Sequence, residues 1–595
     1  MEGVMARELI KVSAGLTGLA VLAAALTGCA GGGAGAQGPP RPGGTLRVIG
    51  SSDVEHLDTA SVSSVGSYGL VRTFARTLFG VRASNAFPET VPVQADVAAR
   101  VPSRENGDIA KDGRTYTVRL RTGVQWNTSP PRPVTAHDFV RGFERLCNPA
   151  SPSAGKGYYI STLKGMDAFC RGFSAVDRDD PKAMAAYQRE HGFEGVRARD
   201  DRTLVFTLEK PASDFLNLLS LPFTAAAPAE YDRYVPDGPE FRRRTISNGP
   251  YQITEYRPGM SVVLEHNRAW RRESDPLRER HVEKIQITFG QDSPETVQQQ
   301  LEQGTADLAW DQPVPTAAIP GLRRDPRFAI RETPNNSPYL VFNTRSPNNG
   351  GALGKREVRQ ALQYAVDRSA LIKLVGGPSV AEPLHTVIPP GNSGHAPRNP
   401  YPTADEAGDP AKCRQLLAKA GHARLTLKFP YRTNSVHRLL AQSIAGNLAA
   451  CNVKAILTAD AGGSFYSATL TDPAKAREGQ WDIAAPGWTP DWYGNNGRSI
   501  IQPLFDGRTY GPNSTNYGGY DNPEVNGLID AALTASSPDR AAGFWAMADQ
   551  KIMDDAAIIP LLDRDQPIFH SSRVHNALFL PTAAGYDYTR LWLSP

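Results

Sequence analysis

Residues 293–488 alternate punctuated helical segments with short apolar runs, and few folds accept that order. SPETVQQQLEQG (293–304) places a serine cap, a proline at the first helical position and a glycine stop around one amphipathic stretch. ADLAW (306–310) then reads as a buried strand. DPAKCRQLLAKAG (409–421) repeats the helical punctuation, and LTLKFPY (425–431) is a strand. VHRLLAQSIAGNLAAC (436–451) is a helix with Val436, Leu440, Ile444 and Leu448 on one face, and VKAILTA (453–459) is a strand again. Alternation at these lengths predicts an α/β domain with a largely parallel sheet. WDIAAPGW (481–488) supplies a further strand, and the glycine- and asparagine-rich stretch 488–520 reads as loop. Open α/β sheets bind ligands at the carboxyl ends of their strands, so this loop lies where a ligand site belongs.

The first half is patterned by period two. Leu46, Val48 and Ile49 open it as a strand, and Tyr116, Val118 and Leu120 alternate with Thr117, Arg119 and Arg121. Segments 203–209 and 283–289 alternate in the same way. Between them VTAHDFVRGFERLC sets Thr135 as a helix cap and Phe139, Phe143 and Leu146 at helical spacing.

The amino-terminal segment has the layout of a secretory signal, with Arg7 and Lys11 ahead of an uncharged run over 12–26. Leu26-Thr27-Gly28-Cys29 resembles a lipobox, in which the cysteine is diacylated and the chain is cut before it. The expectation is a lipoprotein signal peptide over 1–28 and a flexible tether over 29–44, with Cys29 as the lipidation site. An ordinary signal with an incidental cysteine is the alternative, and either Met1 or Met5 serves as a start. Two acyl chains, at about 0.8 kcal/mol per buried methylene, hold a protein on a membrane where one does not. Export makes Cys147, Cys170, Cys413 and Cys451 an even set in an oxidising compartment. Among the possible connectivities, sequential pairing, Cys147–Cys170 and Cys413–Cys451, is expected.

Several function classes receive no support. The net charge of +4 is spread along the chain with no basic block, so no nucleic-acid partner is expected. There is no His-Glu-x-x-His, Gly-x-Ser-x-Gly or phosphate-loop motif, which counts against an exported hydrolase. No Cys-x-x-Cys occurs, and His137 and His437 read as surface or capping residues, so no metal or cofactor is expected.

Six runs in order carry a resemblance: GGTLRV (43–48), DGRTYTVRLRTGVQW (112–126) with VTAHDFV, SNGPYQITEYRPGMSVVLEHNRAW (247–270), YLVFNT (339–344), KREVRQALQYAVDR (355–368) and GWTPDW (487–492). Together they resemble the family 5 extracellular solute-binding proteins, the oligopeptide- and dipeptide-binding components of ABC importers. That resemblance implies an α/β, periplasmic-binding-protein-like (type II) fold of two lobes with an extra inserted domain. Lobe one is expected over 45–82, 200–304 and 560–595, the inserted domain over 83–199, and lobe two over 305–559, with hinge strands near 305–335 and 555–565. It further implies that Asp491, the acidic residue of Gly-Trp-x-x-Asp, pairs with a peptide's amino terminus. Arg432 is the nearest match to the arginine that holds the carboxyl terminus, and Trp488 and Trp492 either wall the pocket or pack the loop onto the sheet. Two departures stand out: Trp492-Tyr493-Gly494-Asn495-Asn496 follows Asp491 where the family tends to continue with an acidic-proline step, and Cys451-Asn452 replaces the usual glycine turn.

A closed cleft removes water, so a zwitterionic peptide must exchange hydration for fixed counter-charges. The expected function is a monomeric, lipid-anchored binding protein on the extracytoplasmic face of a bacterial membrane. It would capture short peptides and deliver them to ABC permease subunits. The alternative within the family is another solute, an oligosaccharide or a chelated metal, since Trp488, Trp492, Tyr493 and nearby asparagines suit sugar stacking.

Overall fold

In the computed structural model, which describes residues 40–433, 435–460 and 465–595, the strand Thr45–Ile49 sits inside a five-stranded sheet. It pairs in parallel with Lys284–Thr288, setting Leu46 against Ile285 and Val48 against Ile287, and in parallel with Leu308–Ala309. Ser261–His266 and Tyr251–Arg257 extend the sheet antiparallel. Leu46, Val48, Ile285, Ile287, Val262 and Leu264 are all fully buried, so the period-two alternation marks the core face correctly. The helix Ala136–Arg145 starts at Thr135 with a capping box closed by Asp138, and buries Phe139 and Phe143. The helix Pro294–Gln303 is capped by the Ser293 side chain and stopped by Gly304 at φ 71°.

A second core gathers around Leu425–Arg432 and Val453–Asp460, parallel strands joined through the helix Ser435–Ala450. Leu440, Ile444 and Leu448 of that helix are buried against them, as the helical spacing predicts. The sheet is less parallel than expected. Tyr339–Phe342 pairs antiparallel with both Ile483–Ala484 and Ile558–Pro560. Every residue of 339–342 is buried, so this run has none of the alternation that would reveal a neighbour's direction. The stretch 488–520 is likewise not all loop, because it contains the helix Gly497–Phe505. Ile500, Ile501, Leu504 and Phe505 are buried there, and the glycines and asparagines on either side mask the short apolar pattern.

Both disulfides join the cysteines paired in the expectation. Cys147–Cys170 closes with a Cα separation of 5.2 Å and Cys413–Cys451 with 5.8 Å. At the second, Asn452 turns the chain from helix to strand with a φ of 62°, a conformation asparagine tolerates better than most residues.

The first core draws on 46–308, then on Trp492 and 568–593, while the second draws on 339–562. The chain therefore passes between them after Leu308 and again after Leu562. The two passages are themselves hydrogen-bonded: Phe328–Arg331 runs antiparallel to Gln566–Phe569, with Phe328 opposite Phe569 and Arg331 opposite Gln566. Among the described residues no helix is long and apolar enough to cross a membrane. The signal segment, Cys29 and most of the 29–44 tether lie outside the described residues.

Candidate functional site

The loop after the strand Ile483–Ala484 carries Trp488, Asp491 and Trp492 from the second core onto the first. Its path is fixed locally. Trp488 and Asn336 exchange backbone hydrogen bonds at 2.8 and 3.0 Å, and a Cβ on Gly487 would collide with Ser337. The Trp488 indole donates to the Ser499 carbonyl at 2.7 Å. That carbonyl is the one Pro503, lacking an N–H, leaves free four residues on, so the proline inside the helix Gly497–Phe505 also orients the tryptophan. Trp488 is half-buried against the second core. Trp492 is 2% exposed and belongs to the first core, where it meets the Tyr158 ring edge-on at 5.5 Å. Trp492 therefore packs in the first core, and it also borders a cavity beside Asp491.

Asp491, one residue before Trp492, receives hydrogen bonds from the first core. The Tyr158 hydroxyl donates to Oδ2 at 2.7 Å and the Tyr68 hydroxyl to Oδ1 at 3.1 Å. Burial pushes the Asp491 carboxyl up to about 6, against the two phenolic donors that pull it down. Tyr68 and Tyr158 are in turn raised well above the usual phenol range, by burial first and by the Asp491 charge second. Among the described residues no cation pairs with this carboxylate, and its surface is not fully closed. A carboxylate with neutral donors and no counter-charge carries an uncompensated charge once ionised.

Next to it the two cores are tied by Arg498, 1% exposed, on the helix that reads as loop in the sequence. Its guanidinium donates to the Tyr158 carbonyl at 2.9 Å, to Ser161 Oγ at 3.0 Å and to Thr162 Oγ1 at 2.8 Å, and pairs with Asp214 at 3.3 Å. Asn495 adds a bond to Ser213 at 2.9 Å. A cavity of about 70 Å³ borders Asp491, Tyr68, Trp492 and Tyr493, while a larger one, about 450 Å³, lies beyond Tyr158 between Lys156 and Arg508. Asp491 does not line the larger cavity.

Arg432 ends the strand Leu425–Arg432 and lies over the rings of Phe465 and Tyr466, at 5.7 and 5.6 Å. Its Nη2 donates to the Ala485 carbonyl at 3.4 Å, which links it to the strand leading into the Trp488–Asp491 loop. His437 is not the surface or capping residue expected. It is partly buried, with Nδ1 3.3 Å from Arg432 Nη2, and burial followed by the Arg432 and Arg564 charges holds it neutral. His137 is exposed, 3.7 Å from Asp201. Tyr68, Tyr158, Arg498 and Arg564 escape sequence reasoning, which had no local pattern to find them by.

Residues 93–509 match the family described as bacterial extracellular solute-binding proteins, family 5 Middle. Heme-binding protein A of Haemophilus influenzae is 27% identical over 477 residues, which is 77% of each chain. The periplasmic oligopeptide-binding protein OppA of Salmonella typhimurium is 25% identical over 466 residues, covering 76% of this chain and 77% of that one. Among solved structures, clavulanic acid biosynthesis oligopeptide binding protein 2 superposes with a TM-score of 0.77 at 26% identity, over 93% of this chain and 96% of its own. DppA of Helicobacter pylori, in complex with the peptide STSA, superposes with a TM-score of 0.73 at 20% identity, over 93% and 98%.

Proposed function

Because the chain belongs to family 5 of the bacterial extracellular solute-binding proteins, we propose that it captures short peptides between its two cores and delivers them to an ABC transporter permease. The family consists of binding proteins rather than enzymes, with the type II periplasmic-binding fold. Asp491 carries the peptide reading: a carboxylate in Gly-Trp-x-x-Asp, held by two phenols from the opposite core and lacking a cation, suits a peptide's ammonium group. Relatives named for oligopeptides and a structural neighbour holding STSA support it. In this reading the second core is lobe two, over 305–559. The first is lobe one, over 45–82, 200–304 and 560–595, with 83–199 inserted into it. Arg432 faces the peptide's carboxyl end and Trp488 forms a wall. Cys29 anchors a monomer to the outer face of the membrane through lipid.

The likeness to Heme-binding protein A favours a second reading, a chelated metal as solute. Native mass spectrometry of the purified protein separates the two by the mass that leaves with it, and calorimetry with an unblocked peptide library then measures the affinity. Absence of binding to any unblocked peptide would rule out the peptide reading.

A further inference from the structure

Arg564 stands at the edge of the second core, on the short strand Leu562–Arg564 that leads into the second passage between the cores. Its backbone is clamped: the Arg564 carbonyl accepts from Thr333 Oγ1 at 3.1 Å and from Asn335 Nδ2 at 2.7 Å, both on the first passage. Its side chain is different. Among the described residues the guanidinium makes no hydrogen bond and no ion pair, and its Nε is buried without a partner. Arg432 has a buried, unpartnered Nε as well, and among the described residues its hydrogen-bond contacts are the long ones to Ala485 and His437.

Two aspartates flank Arg564, yet neither serves it. Alternate residues of an extended strand point to opposite sides, so Asp563 faces away from it, and among the described residues Asp565 forms no ion pair with it. Asp563 accepts from the Asn335 N–H and shares its surroundings with Tyr493, Asp565 and Glu382. On the Arg564 side the charge that reaches it is that of Arg432, and with burial this repulsion brings the guanidinium down to about 10. The same two guanidiniums act together on His437. Two half-buried cations that repel each other, each with a buried and unused Nε, are costly to the empty protein. That cost is recovered when an anion enters, because a guanidinium binds carboxylate through paired, charge-assisted hydrogen bonds.

We propose that Arg564 and Arg432 form one anion-binding subsite and that the solute end it takes carries two carboxylates, as in a peptide whose last residue is glutamate or aspartate. One carboxylate would leave a net positive charge on the pair of guanidiniums, whereas two match it. This assignment rests on the peptide reading and narrows it to acidic-ended peptides. Since Arg564 follows directly on the core and is bonded to both passages, the acidic end is read where the two cores meet.

Calorimetry with Ala-Ala-Glu and Ala-Ala-Gln, both with free carboxyl ends, tests it on the full extracytoplasmic chain. The wild type is expected to bind the glutamate peptide at least about tenfold more tightly. Arg564→Gln should reduce that preference below about twofold, and Arg564→Lys should restore part of it. The melting temperature of ligand-free Arg564→Gln should equal or exceed that of the wild type, because an unpaired repulsive charge is removed. Equal affinities in the wild type, or an unchanged preference in Arg564→Gln, would overturn the proposal, as would a destabilised Arg564→Gln that keeps the preference. If peptides bind without an acidic preference, the subsite fails and the peptide reading stands. If no peptide binds but glutarate binds in an Arg564-dependent way, the subsite stands and the peptide reading fails.

Discussion

The Tyr158 hydroxyl donates to the Asp491 carboxylate at 2.7 Å, so a side chain of the first core completes the polar shell of a residue delivered by the second. Tyr68 supplies the matching bond on the other oxygen. Each phenol leaves lone pairs of the carboxylate free, and a bound ammonium can share the group without displacing either donor.

Asp491→Asn keeps size and most hydrogen bonding while removing the charge. Loss of the partner of a buried ammonium costs about 2–5 kcal/mol, or roughly thirtyfold to several-thousandfold in affinity. Acetylating the peptide's amino group should cost the wild type a similar factor and the variant much less. A calorimetric cycle over the four combinations reads the pairing apart from general damage to the loop. Equal acetylation penalties in both proteins would mean that Asp491 does not contact the amine.

Affinity for an unblocked peptide should fall as pH drops through about 6, where burial places the Asp491 carboxyl. The ammonium binds the ionised form, so each further pH unit costs up to about tenfold. The sign for stability of the empty protein is opposite. The folded carboxyl titrates above its usual value of 3.8, so its contribution is fullest below that value and is lost as pH rises through about 6. Asp491→Asn should therefore raise the melting temperature at pH 8 more than at pH 4. A pH-independent difference would contradict the burial of this charge.

Arg498→Met preserves bulk and removes every donor that ties Gly497–Phe505 to Tyr158, Ser161, Thr162 and Asp214. Breaking a buried charged network by deleting one partner costs about 3–5 kcal/mol. This loss is confined to the arrangement in which the cores touch. Small-angle scattering should show a larger radius of gyration for the ligand-free variant, reduced again by saturating peptide. An unchanged radius would show that Arg498 does not hold the cores together.

Non-reducing peptide mapping should recover Cys147 with Cys170 and Cys413 with Cys451. Each loop of a few tens of residues is worth roughly 3–4 kcal/mol by chain-entropy reasoning. Replacing both cysteines of one pair with alanine should lower the denaturation midpoint accordingly, with no change in peptide affinity. Separately, Cys29→Ala should release the protein from membranes. Retention at high salt would exclude the lipid anchor.

Legibility in the sequence followed the range of each interaction. The strands at 46–49 and 116–120 and the helices begun at Thr135 and Ser293 are written in neighbouring residues, and the structure has them there. The direction of Tyr339–Phe342 is set by partners at 483–484 and 558–560, which a run buried on both faces does not encode. At the site, Asp491 stood out through a short motif. Its donors Tyr68 and Tyr158 lie 423 and 333 positions away and sit in segments with no distinguishing local pattern. Arg564 lies in LLDRDQ, at the end of the stretch expected as a hinge strand, where nothing local distinguishes it from its charged neighbours.

The antiparallel pairing of Phe328–Arg331 with Gln566–Phe569 has a mechanical consequence. Two independent linkers would let the bodies they join slide, twist and separate. Once the linkers are hydrogen-bonded edge to edge they act as a single ribbon, stiff against stretching and in-plane shear because either motion breaks ladder bonds, and compliant only to bending across its face. Any approach or retreat of the cores would thereby be confined to rotation about one axis, like a leaf spring. On such a rotation Asp491 would return to the same pair of tyrosines without a separate alignment step.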